Sequence, residues 1–178
     1  MQRPFNIVLF EPVIPQNTGS IARLCACTAT RLHLIHPLGF NTDETSVRRA
    51  GLDYWKHVEI FEHANFEDFL KKENPEQLFF FSKFAEKNYS KANFNPGCYF
   101  VFGNETKGLP ERFHKEQAEQ FLFIPMQTHL VRSLNLAQSA GIVLYEALRQ
   151  TNALETLQDE TQGKYVEYGD NPMRPKGV

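Results

Sequence analysis

No stretch of about 18 apolar residues occurs in this 178-residue chain, and its first residues lack the charged-then-apolar leader of a secretory signal. A cytoplasmic protein with no membrane partner is therefore expected. Cysteine is scarce, with three residues in all. Cys25 and Cys27 stand two apart on a predicted helix and must point to different faces, so buried thiols are expected in preference to a disulfide or a metal cluster. His33, His36, His63, His114 and His129 show no metal-ligand spacing, and no metal is assigned. Positive charge is not in excess either. With 19 Lys and Arg against 21 Asp and Glu, the net charge is −2, far from the basic footprint of a dedicated nucleic-acid binder. Composition alone argues against RNA. The cations are clustered, however: Arg48 and Arg49 with Lys56, then Lys83, Lys87 and Lys91, and also Arg23, Lys107 and Arg132. A local patch, doubled by dimerisation, can serve where net charge does not, although Lys83 to Lys91 reads equally as a solvated helix face.

Two glycine fingerprints are missing as well. Gly103 and Gly108 have a spacing reminiscent of a phosphate loop, but Leu109-Pro110 follow where Lys and Ser/Thr are required. No strand runs into the three glycines of a dinucleotide fold. What is present is an apolar strand, ending at Val101-Phe102, that breaks into the loop Gly103-Asn104-Glu105-Thr106-Lys107-Gly108. At the carboxyl end of a buried strand, such a loop is where open α/β folds bind ligands. The alternative is a plain strand-to-helix turn with Pro110 at the first helical position.

Short, nearly continuous apolar runs lie at Ile7 to Phe10, Leu32 to Ile35, Val58 to Phe61, Leu78 to Phe81, Tyr99 to Phe102 and Phe121 to Ile124. That is the pattern of strands buried on both faces. Helical spacing links Ile21, Leu24, Cys25 and Thr28; Asn65 stands as a cap before Phe66, Phe69 and Leu70; and a third helix spans Pro110 to about Gln117. The expected fold class is α/β, a mostly parallel sheet with helices on both faces. One domain over 1–150 is expected, followed by a polar, mobile tail over 151–178. A last helix from Leu134 to Gln150 carries an apolar stripe with Gly141 among small residues, suited to packing on its own sheet or on a second subunit.

Three strand-to-helix junctions carry polar residues without an obvious packing role. These are Pro15-Gln16-Asn17-Thr18-Gly19-Ser20-Ile21-Ala22-Arg23, the 103–108 loop, and Ile124-Pro125-Met126 followed by Arg132-Ser133-Leu134-Asn135-Leu136. Together with Arg48 to Trp55 (RRAGLDYW), they resemble the motifs of SPOUT-class RNA 2'-O-ribose methyltransferases, most of all the tRNA enzymes that modify the wobble cytidine or uridine. The resemblance covers residues 5 to 150, departing at Ser20, where that family usually has Asn, and at Ala29-Thr30, where it usually has a Gly-containing turn.

The resemblance implies a C-terminal trefoil knot, a homodimer, S-adenosylmethionine as methyl donor and tRNA as substrate. Carried over by position, Phe81, Gly103, Gly108, Ile124, Met126, Ser133 and Leu134 are the expected cofactor contacts. Arg23, Asn17, Glu105, Asn135 and Tyr145 are the expected catalytic set, with Arg23 reaching the reaction centre from the partner subunit. Each has a structural alternative. Phe81 and Ile124 suit a core, Arg23 a surface ion pair, Asn17 and Asn135 helix caps (Ser133 competing for the second), Glu105 a loop lock, and Tyr145 a core tyrosine. Tyr54, Trp55 and His57 beside Arg48 and Arg49 suit contact with unpaired bases, although burial is the commoner fate of a lone tryptophan. The competing functions are an RNA- or cofactor-binding protein of this fold without turnover, a methyltransferase for another RNA nucleotide, and an ordinary nucleotide-binding enzyme, which the absent phosphate loops disfavour.

Overall fold

A computed structural model describes residues 4–42, 55–127 and 129–157. The expectations for Arg48, Arg49, Tyr54 and the tail beyond 157 lie outside the described residues, as does the Lys56 side chain.

Seven parallel strands form one sheet. They are β1 (Asn6–Phe10), β2 (Arg31–Ile35), β3 (Ile60–His63), β4 (Leu78–Phe81), β5 (Lys87–Asn88), β6 (Tyr99–Phe102) and β7 (Phe121–Phe123), in the order β3-β2-β1-β6-β4-β7-β5. Side chains alternate along each strand, so β1 sends Ile7 and Leu9 into one core and Val8 and Phe10 into the other. The first core is closed by α1 (Pro15–Thr28) and α4 (Leu136–Gln150) through Ile21, Ala22, Cys25, Ala140, Val143, Leu144 and Ala147. The second is closed by α2 (Phe66–Glu73) and α3 (Glu111–Glu116), whose Phe66, Phe69 and Phe113 pack against Phe80, Val101 and Phe121. The central strands β1 and β6 are buried on both faces, which is why they read as continuous apolar runs, whereas the edge strands β3 and β5 expose Glu62 and Lys87.

The sequence reading and the fold differ at element ends. β3 starts at Ile60 rather than Val58, because a 3-10 turn over Trp55–His57 takes the Val58 N–H onto the Trp55 carbonyl. β5 has only Lys87 and Asn88 at the sheet edge and carries no apolar signal. Pro110 sits at the N-cap of α3, one position before the expected place. α4 starts at Leu136 rather than Leu134, because Asn135 caps it, accepting from Ala137 N–H at 2.8 Å and Gln138 N–H at 3.3 Å. A further 3-10 turn over Ala153–Leu157 lays Ala153, Leu154 and Leu157 on the first core, so packed structure continues past Gln150. Ala29 ends α1 in the left-handed region at φ +50, where glycine is ordinarily favoured.

Candidate active site

The strand order reverses where β6 enters between β1 and β4, and beyond the carboxyl ends of β1, β6, β4 and β7 the chain encloses a cleft of about 1350 Å³. Such a reversal leaves room because the connections on either side of it diverge. Its floor is apolar: Phe81 and Phe102 stack with ring centroids 4.9 Å apart, and Ile124 and Leu136 join them in the lining.

The 103–108 loop owes its shape to Asn104. The Asn104 and Gly108 main chains exchange hydrogen bonds of 3.2 and 2.8 Å, while Asn104 Oδ1 accepts from Thr106 N–H at 2.9 Å, the Thr106 hydroxyl at 2.8 Å and Lys107 N–H at 3.1 Å. Asn104 Nδ2 donates to the Glu11 carbonyl at 2.6 Å, fastening the loop to the end of β1. Gly103 lies so close to the returning chain that a Cβ there would stand 2.4 Å from the Gly108 carbonyl carbon and 2.5 Å from Leu109 N. Gly108 turns the chain back at φ +71, with open space where a Cβ would point.

One polar chain ties the three junctions together. The N-cap residue of α1 is Ile14, whose side chain cannot accept, and the first turn holds no acidic residue. Glu105 supplies both, accepting from Val13 N–H at 2.9 Å, Ile14 N–H at 3.2 Å and Asn17 Nδ2 at 3.1 Å. Asn17 Oδ1 in turn accepts from Asn135 Nδ2 at 2.9 Å, and Asn135 caps α4. Amide and carboxylate atoms are thus matched donor to acceptor from the loop to both helices of the first core.

All seven expected cofactor contacts, Phe81, Gly103, Gly108, Ile124, Met126, Ser133 and Leu134, line the cleft, as do Asn17, Glu105 and Asn135. Arg23 and Tyr145 are not among its lining residues; both are exposed, on α1 and α4. Those helices pack together, with Gly141 facing the Leu24 side chain, and Ile142 joins Tyr145 on the outer surface of α4. Asn104 was not singled out from sequence, although an asparagine following a strand-end glycine is an Asx-turn signal. Lys83, Phe84 and His114 also line the cleft and were likewise missed as site residues.

Other clusters lie apart. Trp55 is half-buried against the first core, and His57 is exposed. Lys87 pairs with Glu119, which offsets its charge. His33 and His63, 30 positions apart, are buried side by side with Nδ1 and Nε2 at 3.1 Å, and Glu73 approaches both at 4.0 Å. Asn6 Nδ2 donates to main-chain oxygens, which turns its Oδ1 toward His33 Nε2 at 3.3 Å and places the His33 proton there. His33 Nδ1 is then the acceptor for His63 Nε2, which leaves the buried His63 Nδ1 without a hydrogen-bond partner among the described residues. Burial, then the neighbouring His63 and Arg31, holds the His33 pKa down at about 3, and burial lowers that of His63.

The cleft suits a nucleoside-bearing cofactor. It has an apolar floor, backbone polar groups at four loop edges and an open approach over Gly108. Residues 4–145 match the SpoU rRNA Methylase family. The tRNA (cytidine(34)-2'-O)-methyltransferase of Escherichia coli (strain K12) is 45% identical over 146 residues, 82% of this chain and 92% of that protein. A solved structure described as "Structural insights into the 2-OH methylation of C/U34 on tRNA" is 42% identical, with a TM-score of 0.77 over 85% of this chain and 98% of that one. The AdoMet-bound rRNA methyltransferase of Sinorhizobium meliloti is 25% identical, with a TM-score of 0.70 over 84% of this chain and 57% of that one. On this family match and on an identity that runs through nearly the whole of a relative, the chain belongs to the SpoU methylase family.

Proposed function

We propose that this protein transfers a methyl group from S-adenosylmethionine to the ribose 2'-hydroxyl of the wobble cytidine or uridine of tRNA, acting in the cytoplasm as a homodimer. The observation that carries this reading is the convergence of the three motif junctions on one cleft through Glu105, Asn17 and Asn135. The wobble nucleotide is the position in the printed names of the similar E. coli protein and of the similar solved structure. No helix among the described residues is long and apolar enough to cross a membrane. A C-terminal trefoil knot belongs to the same reading, as an implication of the family resemblance.

When bound, S-adenosylmethionine supplies an electrophilic methyl group, and the protein's task is to bring a hydroxyl oxygen in line behind it. Phe81, Phe102 and Ile124 give an apolar surface for an adenine, while Gly103, Met126, Ser133 and Leu134 offer main-chain donors and acceptors at its edges and Gly108 leaves open space beside them. Asn17, Glu105 and Asn135 are positioning residues that fix the loops by bonding to one another. Arg23, exposed on α1, enters the partner's cleft, and Tyr145, exposed on α4, approaches the substrate side. A guanidinium offers donors and no acceptor, so the role of Arg23 is to orient the ribose or the adjacent phosphate and polarise the oxygen. The hydroxyl proton passes to phosphate or bulk base.

Nucleotide-resolved mapping of ribose methylation in tRNA, from cells with and without the protein and from purified protein with unmodified tRNA, tests the reading. The expected result is a 2'-O-methyl group at the wobble position only when the protein is present. Methylation confined to another nucleotide, or cofactor binding with no transfer, would hand the protein to one of the alternatives.

A further inference from the structure

Phe84 is 76% exposed, more than any other large apolar side chain among the described residues, and it lines the mouth of the cleft. It is held there. Ser82 forms a tight turn, its hydroxyl accepting from Phe84 N–H at 3.3 Å and its carbonyl accepting from Ala85 N–H at 3.2 Å. Lys83 places its ammonium 5.0 Å from the Phe84 ring centroid and donates to the Arg132 carbonyl at 3.3 Å, tying this turn to the segment carrying Leu130 and Val131, 69% and 52% exposed. Two loops 49 positions apart in sequence thus present an apolar rim, with Lys83, Lys107 and Arg132 in the lining beside it.

We infer that Phe84 is the stacking platform for an unpaired RNA base next to the nucleotide being methylated. This rests on the methyl-transfer reading above. A large ring left in water beside a ligand cleft is a contact waiting for a partner. The partner must combine a flat apolar face with negative charge, because cations stand next to the ring and one already approaches it. An unpaired nucleotide has both: its base stacks on an aromatic ring, and its phosphate meets Lys or Arg. The wobble nucleotide lies in a single-stranded loop, so its neighbours can splay toward this rim while its ribose enters the cleft.

The test compares the full-length unaltered protein with Phe84→Ala, Phe84→Leu and Phe84→Trp, measuring tRNA KM, kcat, equilibrium tRNA affinity and S-adenosylmethionine affinity. Losing one stacked base costs on the order of 1–3 kcal/mol, so Phe84→Ala is expected to raise tRNA KM and Kd about 5- to 150-fold, with cofactor affinity and thermal stability unchanged. Trp is expected to restore binding and Leu not, because only a π face stacks. A tRNA affinity within twofold of the unaltered protein in Phe84→Ala, full rescue by Leu, or a changed oligomeric state by sedimentation would overturn the inference, the last by assigning the ring to a second copy of the chain. Absence of turnover in the unaltered protein would retire the methyl-transfer reading alone, since the tRNA affinity ratio still decides the role of Phe84.

Discussion

Asn17 Nδ2 donates to Glu105 Oε1 at 3.1 Å across 88 positions of sequence, and through that bond the amino end of α1 is fixed to the 103–108 loop that edges the cleft. The same carboxylate also accepts the N–H groups of Val13 and Ile14, so the N–H of the N-cap residue is bonded from another loop, as a Glu three residues on would bond it in a capping box.

Glu105→Ala therefore strips acceptors from two main-chain N–H groups and from Asn17 together. The expected loss is about 1–2 kcal/mol of unfolding free energy, read as a lower urea midpoint with an unchanged slope. Glu105→Gln keeps one acceptor oxygen and is expected to fall between the two. A midpoint for Glu105→Ala equal to that of the unaltered protein would remove Glu105 from the frame of the site and return it to direct contact with substrate.

Gly103→Ala forces a methyl group into main-chain atoms 2.4 and 2.5 Å away, so the 103–108 loop must move as a unit. Overpacking of this kind costs about 1–3 kcal/mol. Because the displaced backbone also edges the cleft, calorimetry is expected to show S-adenosylmethionine binding to the unaltered protein without RNA and at least tenfold weaker binding to Gly103→Ala. Equal affinity would place the cofactor elsewhere.

The fold class was legible because burial on both faces of a parallel sheet writes itself as short apolar runs, and Asn65 announced α2 by its type, its side chain accepting from Asp68 N–H. The cofactor-side residues were legible because they follow strand ends. What sequence could not give is who satisfies whom. Ile14 carries no cap signal, and nothing local says that Glu105, on another loop, completes it. Likewise His33 and His63 look like isolated histidines until β2 and β3 are placed in register, where Ile35 and not His33 pairs with His63 in the ladder. Side-chain pairing at long separation is a product of the packed sheet.

Acid sensitivity follows from that histidine pair. Folded His33 has a pKa of about 3, whereas in the unfolded chain it titrates near the ordinary 6.5, so between those values the unfolded state binds a proton that the folded state refuses. Stability from this group is fully present above about pH 6.5 and falls as pH drops toward 3, by up to about 1.4 kcal/mol per unit. His63 shifts in the same direction, and the nearby Glu73, Tyr99 and Arg31 share the environment. Urea unfolding at pH 7, 6 and 5 is expected to show a steeper loss in the unaltered protein than in His33→Asn. Parallel losses would mean that His33 is protonated in the fold.

Arg23 is exposed on α1 and absent from the lining of its own cleft, while every expected cofactor contact lies within it. If the arginine serves the partner's cleft, the two halves of the site are separable by subunit. Arg23→Ala is expected to lower methyl transfer at least 100-fold with S-adenosylmethionine affinity unchanged. Arg23→Lys should also be poor, because an ammonium cannot reproduce the planar fork. At a cofactor concentration that saturates only the unaltered protein, Arg23→Ala and Gly103→Ala should each be poor alone, yet a mixed dimer of the two contains one cleft with an intact loop facing an intact Arg23. Co-refolding them and isolating the heterodimer with two affinity tags should restore about half the activity of the unaltered dimer. Silence from verified heterodimers would mean that each site is completed within one chain, and Arg23 would then have to reach its own cleft by a rearrangement of α1.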